Sequence, residues 1–194
     1  MPIVIVPSLE DGSEITTYTG LVAAAEGALG RSVMSGAITA LTADLNRRLR
    51  VREMIKETSQ DATATPSDFL EAEVVKVGGT TYQPAPAVVP QSCTYEVKNG
   101  EFVFYPIESA PDLFLRYYAK LDVLRSGESN AILIKYPDLY LYGLLYQHSI
   151  LVRDEAGVAA WGPMYQSVFA DVVSSDLASR VDQRPMRVMP RTSA

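Results

Sequence analysis

Nucleophilic catalysis needs a nucleophile, a base and an orienting group within hydrogen-bond reach, and this chain offers few candidates. His148 is its only histidine and Cys93 its only cysteine. His148 stands in an apolar, tyrosine-rich stretch between Gln147 and Ser149. There a buried or interfacial imidazole satisfied by a neighbouring carbonyl is the expectation, rather than a general base. Cys93 follows the proline-rich stretch QPAPAVVPQS and is expected to be a small, half-buried residue. The chain holds no Gly-x-Ser-x-Gly elbow, no glycine-rich phosphate loop ending in lysine and no Gly-x-Gly-x-x-Gly turn. Glu71 with Glu73, and Asp154 with Glu155, read as exposed strand and helix-start carboxylates rather than as an acid–base pair. With one cysteine and one histidine, neither an intrachain disulfide nor a Cys/His or two-histidine metal site can form within a chain. No catalytic residue, cofactor or metal is expected, and the chain does not read as an enzyme.

The groups suited to binding are of another kind. Of eleven tyrosines, Tyr117, Tyr118, Tyr136, Tyr140, Tyr142 and Tyr146 concentrate in one stretch. Tyrosine joins a large apolar area to a polar tip and is enriched at protein–protein contacts. Tyr140, Tyr142 and Tyr146 are therefore candidate subunit-interface residues, with a core whose polar tips reach its boundary as the alternative. Stacking on single-stranded nucleic acid would need more interleaved cations than Lys120, Arg125 and Lys135 supply. Arg47, Arg48, Arg50 and Arg52 crowd the end of one helical pattern. They fit either a phosphate or acidic partner or the negative end of the helix dipole.

Charge and length narrow the classes further. Seventeen Lys+Arg against twenty-three Asp+Glu leave a net charge of −6, unsuited to wrapping nucleic acid. The 194 residues suit one domain with a small insert, and a hydrophobic content of 47% suits a globular protein. No apolar run approaches the length of a membrane span. The start MPIVIVPSLEDG lacks a basic flank and does not read as a secretory signal. A soluble protein made in a reducing compartment is expected.

These residues must be placed by elements whose signals are readable. Ile3, Val4, Ile5 and Val6 read as a short strand that pairs with a sheet or with a partner chain. Thr16 or Thr17 caps a first helix carrying Leu21, Val22, Ala25 and Leu29, with Gly30 as its stop. Ser32 caps a second, whose Ile38, Leu41, Leu45 and Leu49 share one face. Gly78-Gly79 joins two β-branched runs into a hairpin. Asn99-Gly100 predicts a type I′ turn between Tyr95, Val97 and Phe102, Phe104. In LFLRYYAKL, residues 113–121, alternate positions are apolar. Pro84, Pro86 and Pro90 favour an extended connector. Pro137 and Asp138 open a helix that is apolar on most sides, suited to the middle of a bundle or a subunit contact. A last helix begins near Asp154-Glu155, repeats Trp161, Tyr165, Val168 and Val172, and carries Gly162-Pro163 as a start or kink.

The expected fold class is α+β: a four-helix bundle with a small antiparallel β insert and extended N- and C-terminal arms. Its expected divisions are an N-terminal arm at 1–15, a helical bundle from 16–60 and 125–183, a β insert at 61–124 and a C-terminal arm at 184–194. That last arm is basic on an acidic protein. Arg184, Met186, Arg187, Val188, Met189 and Arg191 either dock on a partner or form a solvated terminus.

An ordered series of segments carries a family resemblance. It runs LTADLNRRLRVREM, PSDFLEAEVVKVGGTTY, NGEFVFYP, LFLRYYAKLDVL, IKYPDLYLYGLLYQHSILVRDE and WGPMYQSVFADV, across residues 18 to 180. In it the chain resembles the head–tail adaptor (connector) proteins of short-tailed bacteriophages. The segment between the two hairpins is shorter than is usual there, and both terminal arms lie outside the pattern. The resemblance implies a structural virion protein made in the host cytoplasm and placed in the neck. It implies a ring, a dodecamer, beneath the portal protein, with tail or nozzle proteins on its far side. Viral DNA would pass the lumen without sequence-specific binding, and no membrane is involved. Two rival roles are a tail-completion or stopper protein of the neck and a small hydrolase acting as the virus enters its host.

Overall fold

Local hydrogen-bonding choices set the helix limits in this protein. The computed structural model describes residues 15–85, 93–105 and 112–181. The strand expected at Ile3–Val6, the tail from Arg184 to Arg191, and Pro86 and Pro90 of the connector lie outside them. The chain divides into two compact units, Met1–Leu41 with Leu124–Ala194, and Thr42–Val123.

The first unit is helical. Helix α1 (Tyr18–Leu29) is capped by Thr17, whose side chain accepts from the Gly20 N–H at 3.2 Å. It ends at Gly30, whose φ of 63° lets its N–H reach the Glu26 carbonyl. Helix α2 (Gly36–Arg48) starts later than a Ser32 cap would place it. The Val33 and Met34 N–H groups are taken by the Glu26 carboxylate (3.2 Å) and by His148 Nδ1 (3.1 Å), which hold residues 32–34 out of the helix. A short α3 (Ala131–Lys135), absent from the sequence expectation, is capped by Asn130 through the Leu133 N–H. Pro137 opens α4 (Pro137–Leu151) as expected. Helix α5 (Glu155–Val181) runs unbroken through Pro163, so Gly162-Pro163 starts no new helix. The described residues thus hold five α-helices where a four-helix bundle was expected.

Helix α4 is the buried member of this unit. Leu139, Tyr140, Leu141, Leu144, Leu145, His148 and Ser149 are all buried. Gly143 lets its neighbours close in, because a Cβ there would stand 2.5 Å from Leu41 Cδ1 and 3.0 Å from Tyr165 Cε2. Both of those residues are fully buried, so neither has room to withdraw.

The second unit takes in α2 from Thr42 onward and a six-stranded sheet: β1 (Ile55–Gln60), β2 (Phe69–Val77), β3 (Thr80–Pro84), β4 (Thr94–Lys98), β5 (Glu101–Tyr105) and β6 (Leu113–Ala119), in the order β1-β6-β2-β3-β4-β5. Both expected hairpins form. Gly78 and Gly79 have φ of 53° and 82°, and Asn99 and Gly100 of 53° and 80°, the paired positive values of a type I′ turn. Three features differ from expectation. Residues 55–60, assigned to the helical part, pair antiparallel with β6 over six consecutive residues. Gln83 and Pro84, assigned to the connector, end β3. The β insert is not wholly antiparallel, because β3 and β4 run parallel, through Gln83↔Thr94 and Pro84↔Tyr95. A short polar strand and a parallel pairing are both imposed by distant partners, so periodicity carries little trace of them.

The sheet rolls around an aromatic core of Tyr82, Tyr95, Phe102, Phe104, Leu113, Leu115 and Tyr117. Phe69 on β2 and Phe102 on β5 stand edge to face at 5.6 Å between centroids, although β5 lies three strands from β2. In a flat sheet that separation would be about 14 Å. The connection after β1 seals the roll: the Phe102 N–H donates to the Thr63 carbonyl (2.7 Å) and the Thr65 N–H to the Gly100 carbonyl (2.8 Å).

Candidate interaction site

The charged residues that suggested binding are largely committed within the second unit. Asp44 pairs with Arg47 at 2.8 Å and with Arg48 at 3.1 Å. Arg50 pairs with Glu71 at 2.8 Å, donates to the Asn46 and Leu49 carbonyls at the end of α2, and lies 5.9 Å over the Tyr118 ring. Arg47 and Arg48 therefore stay within the last turns of the helix, and Arg50 alone of the three joins its end to the sheet. Glu73 pairs with Arg116 at 2.8 Å. Asp154 caps α5 through the Gly157 N–H and pairs with Arg31. Neither sequence-adjacent carboxylate pair is set out as an acid and a base.

Asp68 joins Lys56 (2.5 Å) and the Tyr117 hydroxyl (2.9 Å). Burial pushes Asp68 up, but the bonds from Lys56 and Tyr117 outweigh it and hold the carboxyl below its ordinary value. Burial and the Asp68 carboxylate push the Tyr117 phenol up to about 12. This cluster ties β1 and β6 to the residue preceding β2, and it keeps its proton on the phenol.

His148 is 1% exposed. The expectation of a carbonyl partner is corrected: Nδ1 accepts from the Met34 N–H, and Nε2 meets no hydrogen-bond partner. Burial, then the Arg31 charge, lowers its pKa, with Asp154 opposing. Its neighbour Ser149 donates to the Leu145 carbonyl, so the pair forms no nucleophile–base couple. Cys93 is half-buried and free at a φ of 59°. Among the described residues no group of three His, Cys, Asp or Glu side chains could hold a metal ion. Among the described residues, likewise, no helix is long and apolar enough to cross a membrane.

The tyrosines divide. Tyr140 is 0% exposed, and its hydroxyl accepts from Asn130 Nδ2 at 2.8 Å. Burial raises its pKa, with the Asn130 bond opposing. It has no surface left for a neighbour, which corrects its assignment to a subunit interface. Tyr142 and Tyr146 are half-buried and stack on Trp161 (6.4 Å) and Tyr165 (5.8 Å) of α5. Both pairs advance by four residues on each helix, so the rings form a ladder along the α4–α5 seam.

Sequence reasoning did not single out the apolar end of this unit. Met34, Ile150 and Leu151 are 46%, 42% and 43% exposed. Met34 is bonded to His148, and Leu151 Cδ1 lies 3.6 Å from where a Cβ on Gly36 would stand, at the start of α2. The one available signal was that α4 is apolar on more faces than a single chain covers.

A family model described as SU10 adaptor protein matches residues 16–189 of this 194-residue chain. The chain belongs to the SU10 adaptor family. This is a family of structural bacteriophage adaptors and not of enzymes, so an entry-associated hydrolase is set aside. No curated protein matches the chain. The match takes in both helical stretches and the whole rolled sheet of the SU10 adaptor fold, and reaches Met189. It therefore includes Arg184, Met186, Arg187, Val188 and Met189, which the sequence comparison had left outside the family pattern. Ile3–Val6 stays outside it.

Proposed function

We propose that this SU10 adaptor is a head-to-tail joining protein of the virion neck, assembled as a dodecameric ring beneath the portal. Tail or nozzle proteins attach to its distal side, and the ring encloses part of the DNA ejection channel. The family match over residues 16–189 carries this reading. Three physical features support it. The ladder of Tyr142, Tyr146 and Trp161 leaves half-buried aromatic surface of the kind enriched at subunit contacts. Met34, Ile150 and Leu151 add a solvent-facing apolar end. A net charge of −6 suits a lumen past which phosphate must slide without being held.

The tail from Arg184 to Arg191 is the element proposed to reach the portal or an adjacent subunit. Its alternating Arg, Met and Val residues combine long-range attraction to an acidic surface with apolar area to bury there. The test is binding of the purified chain to purified portal, followed by electron microscopy of the complex. A ring on the portal is expected without any tail protein present. Binding only to a preformed portal–tail assembly would instead favour the stopper or tail-completion role. Deleting residues 184–194 removes three arginines. Portal affinity should fall, and so should its dependence on salt; unchanged affinity would remove the tail from the contact.

A further inference from the structure

The two edges of the rolled sheet are treated differently. The β5 edge is covered by the chain itself, through residues 63–65, which hydrogen-bond to Gly100 and Phe102 and bridge Ala64 to Glu101. The β1 edge is bare: among the described residues, no backbone group pairs with β1 on the side away from β6. Proteins normally blunt such an edge with proline, a bulge or charges that repel an incoming strand. β1 contains no proline, and its register with β6 is unbroken for six residues, whereas β2 shifts register twice on the other side of β6. Its two charges are engaged, Lys56 by Asp68 and Glu57 by Arg116 at 3.6 Å.

The chain carries a segment of matching chemistry. Ile3, Val4, Ile5 and Val6 are β-branched and uncharged, and Pro2 and Pro7 bound the run on both sides. Eight residues, Pro7 to Glu14, separate the run from Ile15 and span at most about 27 Å when extended. We propose that the bare edge of β1 is a strand-acceptor site, occupied by Ile3–Val6 of a second copy of this chain. The inference rests on the ring reading above. An arm on one copy and an edge on the next form a head-to-tail contact. Such a contact repeats identically around a closed ring, whereas a self-complementary one stops at a dimer. Backbone hydrogen bonds supply the pairing, so the polar side chains of β1 are no obstacle to it.

The test uses the full-length chain with Cys93→Ser as background. One population carries Val4→Cys and a second carries Thr58→Cys or Ser59→Cys, which sample both faces of β1. Under mild oxidation, a mixture of two single-cysteine populations can form a disulfide only between chains. A covalent dimer from one of the mixtures is expected, and a ladder of higher species when both cysteines are in one chain. A disulfide that forms only within single chains would overturn the proposal. So would the absence of any disulfide in particles whose native mass shows an intact ring, and that result would leave the ring reading standing. A native mass that stays monomeric at every concentration, with portal present, would overturn both. As a second measurement, Val4→Pro with Ile5→Pro removes a donor whichever way the arm faces. It should weaken self-association at least about tenfold, while Val4→Ile with Ile5→Val leaves it unchanged. Equal self-association of the two variants would also overturn the proposal.

Discussion

The backbone N–H of Met34 donates to His148 Nδ1 at 3.1 Å, so the segment between α1 and α2 is latched onto α4 by a neutral imidazole. Protonation would place a hydrogen on the nitrogen that must accept, opposite another donor, with Arg31 nearby to repel the new charge and Asp154 to favour it. The folded-state pKa lies below the ordinary value, so the unfolded chain takes up the proton first. Stability from this group is complete above about pH 6.5 and declines as the pH falls through the folded-state value.

His148→Gln keeps an acceptor without the titration. Its unfolding free energy should therefore fall less than the parent's between about pH 7 and about pH 5. His148→Leu strands the Met34 N–H and should cost about 1–3 kcal/mol at neutral pH. Urea unfolding across that range measures both. Parallel pH profiles for the parent and the glutamine variant would show that the latch does not titrate.

Gly143 of α4, like Gly157 of α5, leaves no room for an added methyl. Gly143→Ala pushes a methyl against Leu41 and Tyr165 and should destabilise by about 1–3 kcal/mol. Gly27, exposed in α1 with no atom within 4 Å of an added Cβ, provides the contrast. Gly27→Ala should stabilise by about 0.5–1 kcal/mol, because the helix interior favours alanine. Thermal melts of the two variants should move in opposite directions.

Tyr117 should ionise well after an ordinary exposed tyrosine. Its pKa of about 12 reflects burial and the Asp68 carboxylate, so ultraviolet titration should show this phenol still protonated when the exposed tyrosines have lost their protons. Tyr117→Phe should remove that late step. The raised phenol pKa contributes stability that is complete below about pH 10 and lost as the pH rises through 12. The lowered Asp68 pKa contributes stability that is lost as the pH falls through its folded-state value. The cost of Tyr117→Phe should therefore be greatest between about pH 4 and about pH 10, and smaller in strong acid or alkali.

Much of the local structure was legible before any coordinates. Thr17 and Gly30 bound α1, Pro137 opens α4, and Gly78-Gly79 and Asn99-Gly100 turn the two hairpins. Each depends on a residue and its immediate neighbours. The candidate site was legible only in outline. The tyrosine-rich helix stood out, but not that Tyr140 turns inward to Asn130 while Tyr142 and Tyr146 stack on α5. Those three residues have the same composition and differ only in the direction each takes around the helix.

By itself, then, the order of residues determined the element types at the strongly patterned segments, the exclusion of an intrachain disulfide or a two-histidine metal site, and the kinship with phage adaptors. Tertiary structure alone decided that IKETSQ is a strand, that β3 and β4 run parallel, and that Arg50 serves Glu71 and the end of α2. It also decided that His148 faces the Met34 N–H. The physical reason is range. Capping, turn geometry and amphipathic period are energies of neighbouring residues. Pairing register, ion pairs between distant segments and the partner of a buried imidazole arise only once the chain has brought remote residues together.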